Sequence, residues 1–161
     1  MSKTIILNPG DQAPDFKSID QNGNTISLSD YLGKKTIIYF YPKDNTPGCT
    51  VQACNLRDHY SELIKRNLHV IGVSADSKER HQKFIEKYTL PFPLIADESH
   101  DVLNKYGVWG PKKFMGREYD GIHRTTFIID DNGIIISIIK KPKTKYHTEE
   151  ILEILDNPSK T

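Results

Sequence analysis

The pattern of apolar and polar stretches along the 161-residue chain predicts an α/β fold. Two runs rich in β-branched and aromatic residues, at 36–41 and 70–74, have the continuous apolar character of strands buried on both faces. A helical spacing of apolar residues follows each run, over residues 51–66 and from a Ser77 cap to Tyr88. Strands separated by helices predict a parallel core with right-handed crossovers.

Shorter elements surround this core. Asn-Gly pairs at residues 22–23 and 132–133 predict two β-hairpins. The predicted hairpin strands are residues 16–19 with 25–28, and 125–130 with 134–140. The other predicted elements are a capped turn, a strand, a helix, a glycine-rich loop and a closing helix, at 29–33, 92–96, 99–106, 107–121 and 148–155. The sum is a single domain, residues 1–161, built as a three-layer sandwich with a mixed central β-sheet and an N-terminal β-hairpin extension.

Composition excludes several classes of partner. With 22 basic and 21 acidic residues the net charge is +1, so no electrostatic attraction to nucleic acid or anionic membranes is expected. The basic run at residues 140–145 is interpreted as a solvated face. No stretch approaches the roughly 20 apolar residues of a membrane span. The apolar run near the start is too short for a signal peptide, and we therefore expect a cytoplasmic protein.

The two cysteines, Cys49 and Cys54, are the candidates for chemistry. A close pair in a reducing compartment indicates a catalytic, redox-sensing or metal-binding role rather than a secreted disulfide framework. Prolines and a glycine in residues 41–50 predict a stiff loop that places Cys49 in the first turn of a helix. Unpaired N–H groups and the helix dipole favour an anion there, so Cys49 is a candidate thiolate. Thr46 could hydrogen-bond that thiolate. The competing interpretation is that Cys49 is a small buried apolar residue.

The five-residue offset of Cys54 has a geometric consequence. In an unbroken helix the two Cα atoms would be about 8 to 9 Å apart. A disulfide needs roughly 4.4 to 6.8 Å, so bonding requires the first turns to unwind. The spacing therefore favours a switch over a permanent crosslink, although Cys54 could also serve simply as core packing.

Other side chains leave alternatives open. Arg124 precedes an apolar strand and could stabilise a thiolate through several fixed donors, or form an ordinary salt bridge at the sheet edge. His123 could be the base of a cysteine–histidine hydrolase. Structural zinc usually takes four ligands, and the sequence contains no second cysteine pair, so no metal is expected.

The Cys49 loop resembles the active-site motif of the peroxiredoxins. Pro42, Thr46 and Cys49 have the family spacing of proline, three residues, threonine, two residues and cysteine. Residues 50–54, Thr-Val-Gln-Ala-Cys, are similar to those of the bacterioferritin comigratory protein or peroxiredoxin Q subfamily. Further similarity extends over nearly the whole chain, at residues 10–16, 106–110 and 121–127.

This resemblance implies a thioredoxin-like fold and the reduction of hydrogen peroxide and organic hydroperoxides. It implies that Cys49 is the peroxidatic cysteine and Cys54 the resolving cysteine, joined by an intramolecular disulfide that thioredoxin reduces. Thr46 and Arg124 would orient the peroxide, and Pro42 would shield the pocket. No metal, flavin or nicotinamide is implied. Since both cysteines belong to one helix, a monomer is expected.

Two other functions remain open on the sequence. A dithiol oxidoreductase acting on proteins would normally carry Cys-x-x-Cys, which this chain lacks. A redox sensor would use the cysteine pair only as a switch, without catalytic turnover.

Overall fold

The computed structural model describes residues 6–157. Its strands are β1 (Lys17–Ile19), β2 (Thr25–Ser27), β3 (Lys35–Phe40), β4 (Leu68–Ser74), β5 (Leu94–Ala96), β6 (Trp109–Phe114), β7 (Arg117–Ile122), β8 (Thr125–Ile129) and β9 (Ile135–Ile139). Its α-helices are α1 (Pro47–Asp58), α2 (Tyr60–Lys65), α3 (Lys78–Tyr88), α4 (Asp101–Lys105) and α5 (His147–Asp156). Short 3₁₀ turns lie at Leu28–Tyr31 and Thr144–Tyr146. None of the helices in residues 6–157 is long and apolar enough to cross a membrane.

The predicted mixed central sheet is confirmed. Its strand order is β5-β4-β3-β8-β9, with β3, β4 and β5 parallel and β8 and β9 antiparallel to their neighbours. Phe40, the last residue of β3, pairs with Thr125, the first residue of β8. The chain therefore leaves β3 beside the point at which β8 begins, and this edge of the sheet carries the site described below.

Apolar residues cover both faces of the sheet, which confirms the three layers. Alternate side chains of β3 point to opposite faces, as the pleat requires: Ile38 and Phe40 belong to one buried cluster, Ile37 and Tyr39 to the other. The first cluster is completed by residues of the N-terminal segment and α4: Ala13, Phe16, Leu28, Val102 and Leu103. The second is completed by residues of α1, α2, α3 and α5: Cys49, Ala53, Leu56, Leu63, Phe84 and Ile151.

The prediction of a loop over residues 107–121 was wrong. Strands β6 and β7 form an antiparallel ribbon, paired from Trp109 with Ile122 to Phe114 with Arg117. A tight turn joins them, with positive φ angles of 51° at Met115 and 78° at Gly116. Most residues of the ribbon are exposed or half-buried. Because little of it packs into the core, the sequence there lacks the apolar alternation that identifies a strand.

The helix predicted over residues 51–66 is two helices, and the first begins four residues earlier. Pro47 occupies the first helical position, where a missing N–H costs nothing. The helix is interrupted at His59, whose Nδ1 lies 2.9 Å from the Asn55 carbonyl oxygen. The early start places Cys49 in the first turn of α1, as the loop composition predicted.

Candidate active site

The loop between β3 and α1 ends in an uncapped helix terminus. Thr46 occupies the N-cap position with extended backbone, and its carbonyl accepts the first helical bond from Thr50 N at 2.8 Å. Its hydroxyl donates instead to the Lys43 carbonyl oxygen at 2.8 Å and does not cap the helix. The first turn of α1, which holds Cys49, therefore keeps the positive character of an uncapped terminus.

Arg124 contacts the sulfur directly. Its Nη2 donates to Cys49 Sγ at 3.3 Å, and Cys49 is buried, with 1% of its surface exposed. The same guanidinium donates through Nη1 to Gln52 Oε1 at 2.6 Å. Two bonds to one helical turn fix the orientation of the guanidinium, so a cation faces the thiol in surroundings with little water. The interpretation of Arg124 as an ordinary edge salt bridge does not fit this geometry.

The topology explains how a residue 75 positions later reaches Cys49. Arg124 immediately precedes β8, whose first residue lies beside the end of β3. The approach is close, since a Cβ added to Gly48 would lie 3.4 Å from Arg124 Nη2. The neighbouring His123 is exposed, and its Nε2 contacts the Pro111 carbonyl oxygen at 3.0 Å. This contact gives no support to His123 as a base for Cys49.

Gln52 is a site residue that sequence reasoning missed. It lies three residues after Cys49, on the same face of α1, and it is fully buried. That spacing was the available signal. Within residues 6–157 two buried side-chain polar atoms lack a hydrogen-bond partner, Gln52 Nε2 and the Tyr39 hydroxyl oxygen. Burial, with the nearby charges of Asp44 and Cys49, raises the pKa of Tyr39 well above its usual value. The Gln52 amide and the Tyr39 hydroxyl group are therefore two buried hydrogen-bond donors without a partner in this part of the core.

Cys54 lies in different surroundings. It is half-buried on the same continuous helix, and both cysteines are free thiols. Burial raises the pKa of the Cys54 thiol, an effect that Arg57 opposes and Asp58 reinforces. Burial therefore favours the protonated form of Cys54 while α1 is intact. The helix also keeps it about 8 to 9 Å from Cys49, measured between Cα atoms on ideal geometry.

Pro42 and Thr46 are both less buried than Cys49. Pro42 follows the buried Tyr41 and is itself exposed, while Thr46 is half-buried. The structure thus brings Cys49 and Arg124 into contact and leaves the roles of Pro42 and Thr46 as predictions.

A family model identifies the chain. Residues 9–138 match the model of the AhpC/TSA family. The chain belongs to this family. A putative peroxiredoxin bcp of Haemophilus influenzae is 50% identical over 149 residues, which are 92% of this chain and 96% of that protein.

Solved structures of family members have the same fold. A cysteine-to-serine mutant of Xylella fastidiosa PrxQ has a TM-score of 0.88 and 29% identity, covering 96% of this chain and 99% of its own. The Xanthomonas campestris bacterioferritin comigratory protein has a TM-score of 0.83 and 29% identity, covering 89% and 92%. Membership of the AhpC/TSA family, among its Bcp and Q-type peroxiredoxins, makes the chain a thiol-dependent peroxidase with a thioredoxin-like fold.

Proposed function

We propose that the chain reduces hydrogen peroxide and organic hydroperoxides through a Cys49 sulfenic acid and an intramolecular Cys49–Cys54 disulfide. One observation carries the assignment of roles: Arg124 Nη2 lies 3.3 Å from the buried Cys49 sulfur, in the first turn of α1. Among the described residues no cation contacts the Cys54 sulfur in the same way, and the pKa of that thiol is raised. The thiol suited to be the nucleophile is therefore Cys49.

In the first step the Cys49 thiolate attacks the terminal oxygen of the hydroperoxide. The S–O bond forms as the O–O bond breaks, and the alkoxide or hydroxide that leaves takes up a proton. Arg124 stabilises the charge as it moves from sulfur to oxygen. The Thr46 hydroxyl, having donated to Lys43, offers its lone pairs to the O–H of the peroxide. Pro42 shields the pocket.

In the second step Cys54 condenses with the sulfenic acid, and water leaves. The first turns of α1 must unwind, because an intact helix holds the cysteines beyond disulfide distance. Unwinding also removes the burial that raises the pKa of Cys54, so the same motion brings the thiol into reach and eases its deprotonation. Both cysteines belong to one helix, so the step needs no second subunit and a monomer suffices.

In the third step a dithiol reductant, thioredoxin or a similar protein, reduces the disulfide by thiol–disulfide exchange. Two relatives support the choice of substrate and reductant. The Xanthomonas protein is described as having alkyl peroxide reduction activity. A yeast mitochondrial 1-Cys peroxiredoxin, 27% identical, is described as resolved via glutathione/thioredoxin systems.

The test is peroxide consumption with catalytic amounts of the chain, thioredoxin, its reductase and NADPH. We expect many turnovers for the wild type and none for Cys49→Ser. Cys54→Ser is the matched variant: it should react once, accumulate a sulfenic acid that dimedone traps, and recycle poorly. Turnover by Cys49→Ser equal to that of the wild type would overturn the assignment. A wild type that oxidises once without turnover would favour a redox sensor, and undiminished cycling by Cys54→Ser would exclude its resolving role.

A further inference from the structure

A second group of buried polar side chains holds the Cys49 loop from the side of α3. Asp44, midway between Pro42 and Thr46, is 2% exposed, and His81 of α3 is fully buried. His81 Nδ1 lies 2.6 Å from Asp44 Oδ2, and the Tyr41 hydroxyl donates to Asp44 Oδ1 at 2.5 Å. A charged residue is rarely buried so completely unless it is paired. None of these residues was predicted from the sequence to have a role.

The partners of His81 determine how the cluster is built. Its Nε2 lies 2.9 Å from the Ile95 carbonyl oxygen, which can only accept, so Nε2 carries a proton. Nδ1 then shares a proton with the Asp44 carboxyl group. A single imidazole thereby connects the Cys49 loop to β5 through two hydrogen bonds, one from each ring nitrogen.

The cluster is saturated with hydrogen bonds. Asp44, Asp76 and His81 could place ligand atoms within 4.8 Å of one another. Asp76 Oδ2, however, accepts from the Asp44 backbone N–H at 2.8 Å and from Ser74 Oγ at 2.7 Å, and Arg80 Nε lies 3.1 Å from Asp76 Oδ1. Because the Asp76 carboxylate oxygens already accept hydrogen bonds, the arrangement favours a hydrogen-bonded anchor over a cation site.

We propose that Asp44 and His81 are positioning residues for the attack of Cys49 on peroxide. This inference rests on the proposed function. The sulfur and the guanidinium that stabilises it stand on different elements, Cys49 on α1 and Arg124 before β8. The loop that leads into α1 sets the distance between them. His81 fixes the middle of that loop against α3 and β5, and without it the buried Asp44 carboxylate would turn toward water and displace the loop.

Two substitutions of His81 separate the two bonds. An asparagine amide occupies the place of Nδ1 and can still donate to Asp44, whereas a glutamine amide occupies the place of Nε2 and can donate only to Ile95. We expect His81→Gln to slow the second-order reaction of Cys49 with hydrogen peroxide about 10- to 100-fold, the range for displaced reacting groups. We expect His81→Asn to stay within about threefold of the wild type. The rate is measured by competition with a haem peroxidase, without thioredoxin, and the unfolding midpoint of each variant is recorded alongside.

The outcomes are distinguishable. Equal rates for His81→Gln and the wild type, with the unfolding midpoint lowered, would mean that His81 serves stability alone and would overturn the proposal. Equally slow His81→Asn and His81→Gln would also overturn it, because the contact with Asp44 would not be the one that matters. Should His81→Gln fail to fold, Asp44→Asn keeps the volume and loses the carboxylate, and an unaltered rate there counts against the proposal. Failure of the proposed function would appear instead as an unreactive wild type.

Discussion

The two cysteines of helix α1 differ in their burial and in their contacts. Cys49 is buried in the first turn, with Arg124 at 3.3 Å from its sulfur. Cys54, further along the helix, is half-buried, and its pKa is raised. The residue type is the same, so the difference in their contacts comes from position: Cys49 lies in the first turn of α1, beside Arg124 immediately before β8, and Cys54 lies further along the helix. One short helix thus carries two thiols in different surroundings.

The two parts of α1 are also anchored differently. The first turn is held through side chains of Cys49 and Gln52, both bonded to Arg124. Just after Cys54, the helix is held by Asn55, whose Oδ1 accepts from Thr148 N at 2.7 Å and whose Nδ2 donates to the Lys145 carbonyl at 3.0 Å. The side-chain bonds of Asn55 involve neither Cys49 nor Arg124, so we expect them to remain after oxidation of the sulfur. We infer that unwinding stops at Asn55.

The largest effect should come from removing the cation. We predict that Arg124→Ala slows the attack of Cys49 on hydrogen peroxide by about 10²- to 10³-fold, the usual loss for one preorganised donor at a developing charge. Arg124→Lys keeps the charge and loses the forked geometry, so its rate should lie between those of Arg124→Ala and the wild type. Stopped-flow or competition kinetics measures the second-order rate constant. A rate for Arg124→Ala equal to that of the wild type would remove Arg124 from the site.

Much of this architecture was predictable from the sequence. The β6–β7 ribbon and the contacts between distant residues were not. Residues 36–41 and 70–74 have continuous apolar runs because both faces of the central sheet are covered. The β6–β7 ribbon was missed because it packs little of its surface against the core. Contacts between distant parts of the chain were equally hidden.

The residues of the site also differ in how far the sequence could predict them. Cys49 was found from local signals, namely its loop and the predicted helix start. Gln52 could have been found from its spacing to Cys49. Nothing local indicated that His81, 37 residues after Asp44, would meet that carboxyl group. The pairing depends on how α3 packs against the loop, which only the folded chain determines.

A smaller effect should follow from releasing the other end of α1. We predict that Asn55→Ala lowers the free energy of unfolding by about 1 to 3 kcal/mol, because it leaves the partly buried backbone N–H of Thr148 on α5 unsatisfied. Disulfide formation after oxidation should become faster, while the attack on peroxide is unchanged. Denaturant unfolding and rapid-quench analysis of the disulfide measure these quantities. Asn104→Ala, at an exposed position of α4, is the control for helix propensity. A slowed peroxide attack would show that Asn55 also supports the Cys49 end.

The smallest and most discriminating effect concerns the pH dependence of disulfide formation. Burial raises the pKa of Cys54 in the folded helix, so the folded helix binds this proton more tightly than the unwound segment does. The proton therefore stabilises the helical form below the ordinary thiol pKa, and this stabilisation is lost as the pH rises through the raised value. If α1 is still mainly helical when the sulfenic acid has formed, the rate of disulfide formation should rise with pH until the raised pKa of Cys54 in the helix is passed. If oxidation has already left the segment mainly unwound, the midpoint should instead lie in the ordinary cysteine range. The measurement is a pH series of single-turnover oxidation, quenched with acid, with Cys54→Ser as the variant that shows no such step.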